Sequence, residues 1–498
     1  MRVADLAKAS GVDALCTRPY LIRMNDKRRP YPTILADVLP FCYLDRDFAM
    51  YPPVQDIVKA RVIVTTCFAA AQLDVALAQE SRIPHHLRYF EFSHILIDEA
   101  AQALEAETLI PLSWASPSTR FVLCGDPCQL GPVIHTPLSE LKNVYEVSSE
   151  DEVPFPTRRW TDAQKQAWKS LPLWTSEPMM QRLMDLPPHS PHYLDLYKEL
   201  LPYRMLQKNY RSHPCLLEIP SSSFYGGVLK AKGDPSVTKS MEKWEELPPN
   251  AAGPMLIEGT ISFDYFDTNA RTFQNAFEAL YVAQYVQKIL TPPSGRGHLS
   301  PLDIGVIAPY RRQVRLIREH LREKGLAAVS VGTVDDYQGQ EKTVIIISTT
   351  ISRDISSNES LTKSSIFRNV VDDSLGMVGN PKRFNVAITR AKALLVIIGN
   401  PRTLAHNKYW KKLLEYAVEN SMYKGTPCAA IGYDKDNDLS WQDGEGGGKG
   451  KGKGGKLEDL VNDVLLRTAR EEETSRAPPS DYSLDRLFQF EMEFDYRV

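Results

Sequence analysis

Six short apolar runs rich in β-branched residues constrain what this chain can become: VIVTT (residues 62–66), ILID (95–98), FVL (121–123), IGVIA (304–308), VIIIS (344–348) and LLVII (394–398). Runs of this kind, without polar alternation, are the pattern of strands buried on both faces, as in parallel sheets covered by helices. Helical periodicity falls between several of them. Over residues 311–324 the apolar Val314, Ile317 and Leu321 recur at three- and four-residue steps beside a basic face. Strand and helix alternate, which predicts an α/β fold with parallel sheets. At 498 residues the chain exceeds what a single core holds together, so two or three domains are expected.

The alternation lapses over residues 141–201, where Pro154, Pro156, Pro172, Pro187, Pro188 and Pro191 interleave with Trp160, Trp168 and Trp174. That composition reads as an insertion or interdomain connection with a helix of its own, the tryptophans packing that helix rather than stacking on bases. His189 and His192 fall in the same stretch and read as loop residues. The domain boundary is placed here, giving expected segments 1–140, 141–204 and 205–435. GEGGGKGKGKGGK (residues 444–456) is a low-complexity cationic tether that cannot bury a core, so 436–456 reads as a linker. Within 457–498, Leu457, Leu460, Val461, Val464 and Leu465 form an apolar stripe at helical spacing, a short docking helix before an acidic tail.

Lys and Arg number 59 against 62 Asp and Glu, a net charge of −3, so nothing draws the whole molecule to nucleic acid or membrane and any polyanion site must be a local patch. The seven cysteines lack a C-x-x-C pair and several lie in apolar runs, as free thiols in a reducing compartment do. Cys124 and Cys128 have no companion ligands at zinc spacing. The amino terminus lacks the uninterrupted apolar stretch of a secretory signal, and no run approaches the ~20 residues of a membrane span. A cytoplasmic or nuclear protein with no membrane partner is expected.

Chemistry enters with ILIDEAAQ (residues 95–102), where a buried strand runs into adjacent carboxylates. An Asp at the carboxyl end of a parallel strand sits where open α/β sheets bind ligands. In nucleoside triphosphatases of this plan, such an Asp holds Mg²⁺ and a neighbouring acid activates water. Asp98 is therefore the candidate metal ligand and Glu99 the candidate base, against the alternative of an ordinary exposed strand end. GDPCQLGP (residues 125–132) would leave a second strand beside the first, with Gln129 either directed at a γ-phosphate or part of a plain turn. Arg211 in NYRSHP and Arg390 in FNVAITRAK supply the permanently cationic forks that clamp phosphate.

Taken together, ILIDEAAQALEAETLIPL, FVLCGDPCQLGPVI, NYRSHPCLLEIPSSSFYGGVL, IGVIAPYRRQV, VGTVDDYQGQEKTVIIISTT and PKRFNVAITRAKALLVIIGNP resemble, in order and spacing, the motifs of superfamily 1B helicases. They are most similar to the Armitage and silencing-defective branch of RNA helicases, kin of the helicase of nonsense-mediated mRNA decay. The resemblance spans residues 18–423. It implies two RecA-like domains, ATP and Mg²⁺ in the cleft, and 5′ to 3′ translocation of a monomer on single-stranded RNA, in silencing or mRNA-decay ribonucleoproteins. Carried onto this sequence, it assigns Asp98 to Mg²⁺, Glu99 to water activation and Gln129 to sensing the γ-phosphate. Tyr210 would lie near adenine, Arg211 and Arg390 on the γ-phosphate, and Gly339 and Glu341 at the nucleotide, with Glu341 holding the ribose. Thr65, Thr66, Tyr310 and Thr333 would touch the RNA backbone.

A phosphate loop of the form G-x-x-x-x-G-K-[ST] is required for such chemistry because its amides cradle phosphate, its Lys reaches the β- and γ-phosphates and its hydroxyl ligates Mg²⁺. The near match GKGKGGKL (residues 450–457) ends in Leu457 instead of a hydroxyl residue and follows no strand. In the resembling family the loop lies upstream of the position matching Arg18. The expectation is a chain that starts partway through the first RecA-like domain, lacking central strands of that sheet, with feeble ATPase activity by itself. Two other readings stay open: a superfamily 1 DNA helicase, and a non-catalytic module that binds RNA or protein.

Overall fold

Two parallel strand pairs organise the first part of the molecule. In the computed structural model, which describes residues 17–26, 29–73, 92–133, 178–184, 204–267, 272–291, 299–352 and 379–433, the chain divides into two compact units, Met1–Tyr203 and Arg204–Val498. The tryptophans, His189 and His192 of the 141–204 stretch, the 436–456 linker and the tail stripe lie outside the described residues.

In the first unit β1 (Leu21–Arg23) pairs with β2 (Val62–Val64), and β3 (His94–Ile97) with β4 (Arg120–Leu123). Helices α1 (Val54–Lys59) and α2 (Cys67–Ala70) flank β2, and α3 (Glu105–Leu112) makes the crossover between β3 and β4. The Glu107 carboxylate accepts the Leu104 N–H at 2.9 Å and closes the first turn of α3. A further helix, α4 (Met179–Met184), docks on α3 through Arg182, whose Nε and Nη2 donate to the two carboxylate oxygens of Glu105 at 2.9 and 2.6 Å.

The expectation of burial on both faces fails in this unit. Ile95 and Ile97 are buried against Ala100, with Leu112, Trp114 and Met180 packed around them. Leu96, on the other face of the same strand, is 71% exposed, and Val62, Val64, Phe121 and Val122 are exposed as well. Alternate side chains of a strand point to opposite faces, so β3 and β4 carry a packed layer on one face, whereas Leu21 and Ile22 of β1 are both buried.

The second unit fulfils the expectation. Its sheet contains β5 (Met255–Gly259), β6 (Ile304–Ile307), β7 (Ser330–Gly332), β8 (Lys342–Ser348), β9 (Ala391–Gly399) and β10 (Tyr423–Gly425), in the spatial order β7-β6-β8-β9-β5-β10. Every pairing is parallel. Among its helices are α5 (Pro214–Phe224), α6 (Ala276–Leu290), α7 (Arg311–Glu323), α8 (Pro381–Ile388) and α9 (Lys408–Glu419). Val282, Val286, Val314, Ile317 and Leu321 from α6 and α7 share one core with Val306, Ile346, Val396 and Ile398. Ile345 and Ile347, of the opposite register, are equally buried, so β8 is covered on both sides as its unbroken apolar run requires. Elsewhere in the unit Phe384 of α8 packs on Trp410 of α9 at 4.9 Å and on Phe224 of α5 at 6.2 Å. No described helix is long and apolar enough to cross a membrane.

Candidate functional site

In the first unit the acidic turn and the GDPCQ loop meet. The Ala100 N–H donates to Cys124 O at 2.7 Å, and the Cys124 N–H donates to Ile97 O at 2.8 Å. This close approach requires a glycine, because a β-carbon on Gly125 would lie 2.8 Å from Ala101 N and 2.9 Å from Met180 Sδ. Asp98 and Glu99 are both exposed at the strand tip. Asp98 Oδ1 accepts the Glu99 N–H at 3.0 Å, and Glu99 Oε2 accepts from Gln102 Nε2 at 2.6 Å. Glu99 holds φ at 54°, a left-handed conformation that costs a non-glycine residue energy and recurs at functional turns. Gln129 is turned onto its own loop, donating from Nε2 to Asp126 Oδ2 at 2.7 Å, while Asp126 Oδ1 accepts the Cys128 N–H at 3.0 Å.

The second unit gathers residues from three distant stretches. Arg211 donates from Nε to Glu341 Oε2 at 2.5 Å and from Nη1 to Thr389 O at 3.2 Å. Lys392 Nζ lies 3.0 Å from Glu341 Oε1, so one carboxylate is shared by two cations. Half-burial would raise the Glu341 carboxyl, but hydrogen bonds and charge from Arg211 and Lys392 outweigh it and hold the group below the usual carboxylate range. The NYRSHP turn is set by Asn209 Oδ1, which accepts the N–H groups of Arg211 and Ser212 at 2.9 Å each. Ser212 Oγ donating to Ala391 O at 2.8 Å and the His213 N–H donating to Lys392 O at 2.9 Å lace that turn to the start of β9.

Tyr210, next to the cluster in sequence, is 70% exposed. Gly339 takes φ of 72° with nothing within 4 Å of where a β-carbon would stand, which lets the YQGQE segment reverse just before Glu341. Arg390 is placed differently from an outward-reaching finger. It is 2% exposed, its Nε donating to Val386 O at 3.0 Å and its Nη2 to Thr389 Oγ1 at 2.8 Å.

The backbone-contact candidates fall into two groups. Thr66 caps α2, its Oγ1 accepting the Ala69 N–H at 3.1 Å, and the neighbouring Thr65 Oγ1 is buried without a partner among the described residues. In the second unit Tyr310 is the N-cap residue of α7 and packs on Phe273 at 5.2 Å. Thr333 is buried, with its N–H and Oγ1 both directed to Asp336 Oδ2 at 2.8 and 3.0 Å, so its hydroxyl organises the turn after β7.

A family profile described as an AAA domain matches residues 177–402, and a second AAA-domain profile matches residues 54–137. Mouse RNA helicase Mov10l1 is 34% identical over 441 residues, 84% of this chain and 31% of that protein. The chicken putative helicase MOV-10 is 32% identical over 450 residues, covering 84% of this chain and 41% of the relative. The chain thus carries two AAA-domain matches and is similar over most of its own length to proteins named as helicases. Human probable helicase with zinc finger domain is a more distant relative, 28% identical over 431 residues, 82% of this chain and 19% of that protein. The chain thus spans about 31–41% of the length of the first two of these curated helicases.

The sequence reading missed two features. Lys392 was within a quoted motif yet unassigned, and its closeness to Glu341 appears only when β8 and β9 pair. The other is a buried polar knot at the tip of β8. Glu278 is fully buried, and its Oε2 accepts from Ser348 Oγ at 2.6 Å and from the Thr350 N–H at 2.8 Å. Asn275 Oδ1 in turn accepts the Glu278 N–H at 3.0 Å, and Gln313 Nε2 donates to Ser348 Oγ at 3.1 Å. Burial pushes the Glu278 carboxyl up to about 7 despite these hydrogen bonds, with Asp264 adding to the rise. The signal was present, since Asn275 followed three residues later by Glu278 is a helix-start pattern.

Proposed function

We propose that this chain belongs to an ATP-driven RNA helicase or ribonucleoprotein remodeller moving 5′ to 3′ on single-stranded RNA. The observation that carries the reading is the Arg211–Glu341–Lys392 cluster beside the exposed Tyr210 in a chain similar to proteins named as helicases. The donor set suits a nucleotide: an aromatic face for a purine, a carboxylate for ribose hydroxyls, and a guanidinium and an ammonium for phosphate oxygens. When nucleotide enters, Glu341 would exchange its cationic partners for sugar hydroxyls and leave Arg211 free to turn to phosphate. Arg390 would have to leave its contacts with Val386 and Thr389 to do the same.

In the first unit Asp98 fits Mg²⁺, because this ion keeps several waters and takes one or two carboxylates alongside substrate phosphates, and Oδ2 of the exposed Asp98 is uncommitted by the hydrogen bond that Oδ1 makes. Bound metal would supply charge neutralisation at the phosphates. Glu99 would orient and deprotonate water, and Gln129 would report on the γ-phosphate. Thr65 and Thr66 in the first unit, and Tyr310 and Thr333 in the second, would each contact RNA phosphates without reading bases, Thr333 after releasing Asp336 Oδ2. The 498 residues hold no G-x-x-x-x-G-K-[ST] stretch, so a polypeptide of this sequence is expected to hydrolyse ATP feebly by itself. Cytoplasmic silencing or mRNA surveillance is the setting that the branch resemblance favours.

The test is a binding comparison of the purified chain with oligouridine, oligothymidine and duplex DNA of equal length. Preference for oligouridine, altered by Mg²⁺-ATP, supports the reading. A preference for DNA replaces it with the DNA-helicase alternative, and no binding to any of the three leaves a non-catalytic protein-binding module.

A further inference from the structure

With acidic and basic residues nearly balanced over the whole chain, attraction to a polyanion has to be concentrated somewhere, and α7 concentrates it. Arg311, Arg315, Arg318 and Arg322 follow one another at steps of four, three and four residues, and all four are exposed. At 3.6 residues per turn they fall within about 60° of one another along about 16 Å of helix. Much of the rest of the helix is buried, with Val314, Ile317 and Leu321 in the sheet core and Gln313 and His320 opposite the arginines, so the orientation of the arginine face is fixed. Arg318 Nη2 donates to Val331 O at 2.6 Å and Arg311 Nη1 to Asp336 Oδ2 at 3.2 Å, tying the face to β7 and the turn that holds Thr333.

The face is poorly compensated. Asp336 pairs with Arg311 at 3.2 Å, and Glu319 projects about 40° from Arg315 and about 60° from Arg322. Glu323, further round, has Oε2 3.4 Å from His320 Nδ1, so four arginines face two nearby acids. Arg312, which donates to Gln274, and Lys324, which donates to Gln287, add further positive charge at the flanks. Arg311 with Arg315 and Arg318 with Arg322 are like-charge pairs at i,i+4, each unfavourable to the helix by a few tenths of a kcal/mol. Arg311 and Arg318 serve the fold through the bonds above, and a polyanion laid along the face relieves the repulsion among all four.

We propose that the arginine face of α7 is a second phosphate track, holding the RNA strand beyond Tyr310 and Thr333. The track begins where Tyr310 caps the helix, so it continues the RNA contacts proposed for Tyr310 and Thr333. Guanidinium groups fork onto phosphate oxygens, and four of them in register with no interleaved aromatic ring grip a backbone without reading sequence. The inference rests on the RNA reading of the preceding subsection.

The experiment is fluorescence anisotropy of the 498-residue chain with labelled oligouridine at stepped salt. Wild type is compared with the double variants Arg315→Ala/Arg322→Ala and Arg315→Lys/Arg322→Lys, each checked for an unchanged thermal melt. Each phosphate neutralised on a single strand contributes about 0.7 to the salt slope, so the alanine pair is expected to lower the slope by about 1.4 and weaken binding about tenfold near 0.1 M salt. The lysine pair keeps the wild-type slope. An alanine pair with wild-type affinity and slope overturns the track while leaving the RNA reading intact. A wild-type chain that does not bind oligouridine overturns both. Loss of retention on polyglutamate with oligouridine affinity unchanged assigns the face to an acidic protein and also overturns the proposal.

Discussion

Arg211 donates through Nε to Glu341 at 2.5 Å, joining two motifs that lie 130 residues apart in the chain. The partners are 27% and 38% exposed, and an ion pair so open to solvent is worth about 1 kcal/mol at most. Its stabilising contribution exists above the ordinary glutamate range and is lost as pH falls through the depressed value. Glu341→Gln should therefore leave the melting temperature near wild type. Its effect should appear in affinity for a fluorescent ATP analogue, weakened about tenfold, or about 1.4 kcal/mol. A large fall in melting temperature with unchanged nucleotide affinity would mark the pair as structural.

Glu278 behaves oppositely with pH. Its carboxyl is pushed up to about 7 in the folded unit, above the unfolded glutamate value, so the folded state binds the extra proton between those limits. Stability therefore falls as pH rises from about 4.5 to about 7 and levels off above, by on the order of a few kcal/mol. Thermal melts of the second unit should rise as pH is lowered from 8 to 6, and Glu278→Gln should flatten that trend. An unchanged slope in the variant would assign the pH dependence to other groups.

Gly125 bears the contact between the acidic turn and the GDPCQ loop. The backbone nitrogen of Ala101, 2.8 Å from a β-carbon at this position, cannot swing aside as a side chain would. Gly125→Ala should destabilise the first unit by about 1–3 kcal/mol, the usual cost of overpacking, seen as faster proteolysis at sites within residues 1–133. Proteolysis at the wild-type rate would show that the two loops part without cost.

The sheet of the second unit was legible because IGVIA, VIIIS and LLVII are continuous apolar runs with helical periodicity between them. β5 escaped because Glu258 interrupts MLIEG; its carboxylate accepts from the Tyr285 hydroxyl and pairs with Lys424 at 3.3 Å. β7 and β10 are three residues each, too short to show a period. ILID and FVL were correctly placed as strands, but Leu96, Phe121 and Val122 are exposed, since a run of apolar residues records what a face prefers and not what packs against it. At the site, Asp98, Glu99 and Gln129 were legible as strand-tip residues. The inward turn of Arg390 is set by Val386 and Thr389 at the end of α8, and the sharing of Glu341 between Arg211 and Lys392 depends on the register of β8 against β9, which spacing along the chain does not encode.

The central claim is that the surface around Tyr210, Arg211 and Glu341 receives a nucleotide, and photolabelling of the purified chain with 8-azido-ATP tests it most directly. The account predicts modification at Tyr210, suppressed by excess ATP and much reduced in Glu341→Gln. Labelling that excess ATP does not displace, or that falls elsewhere and is indifferent to Glu341→Gln, would contradict it.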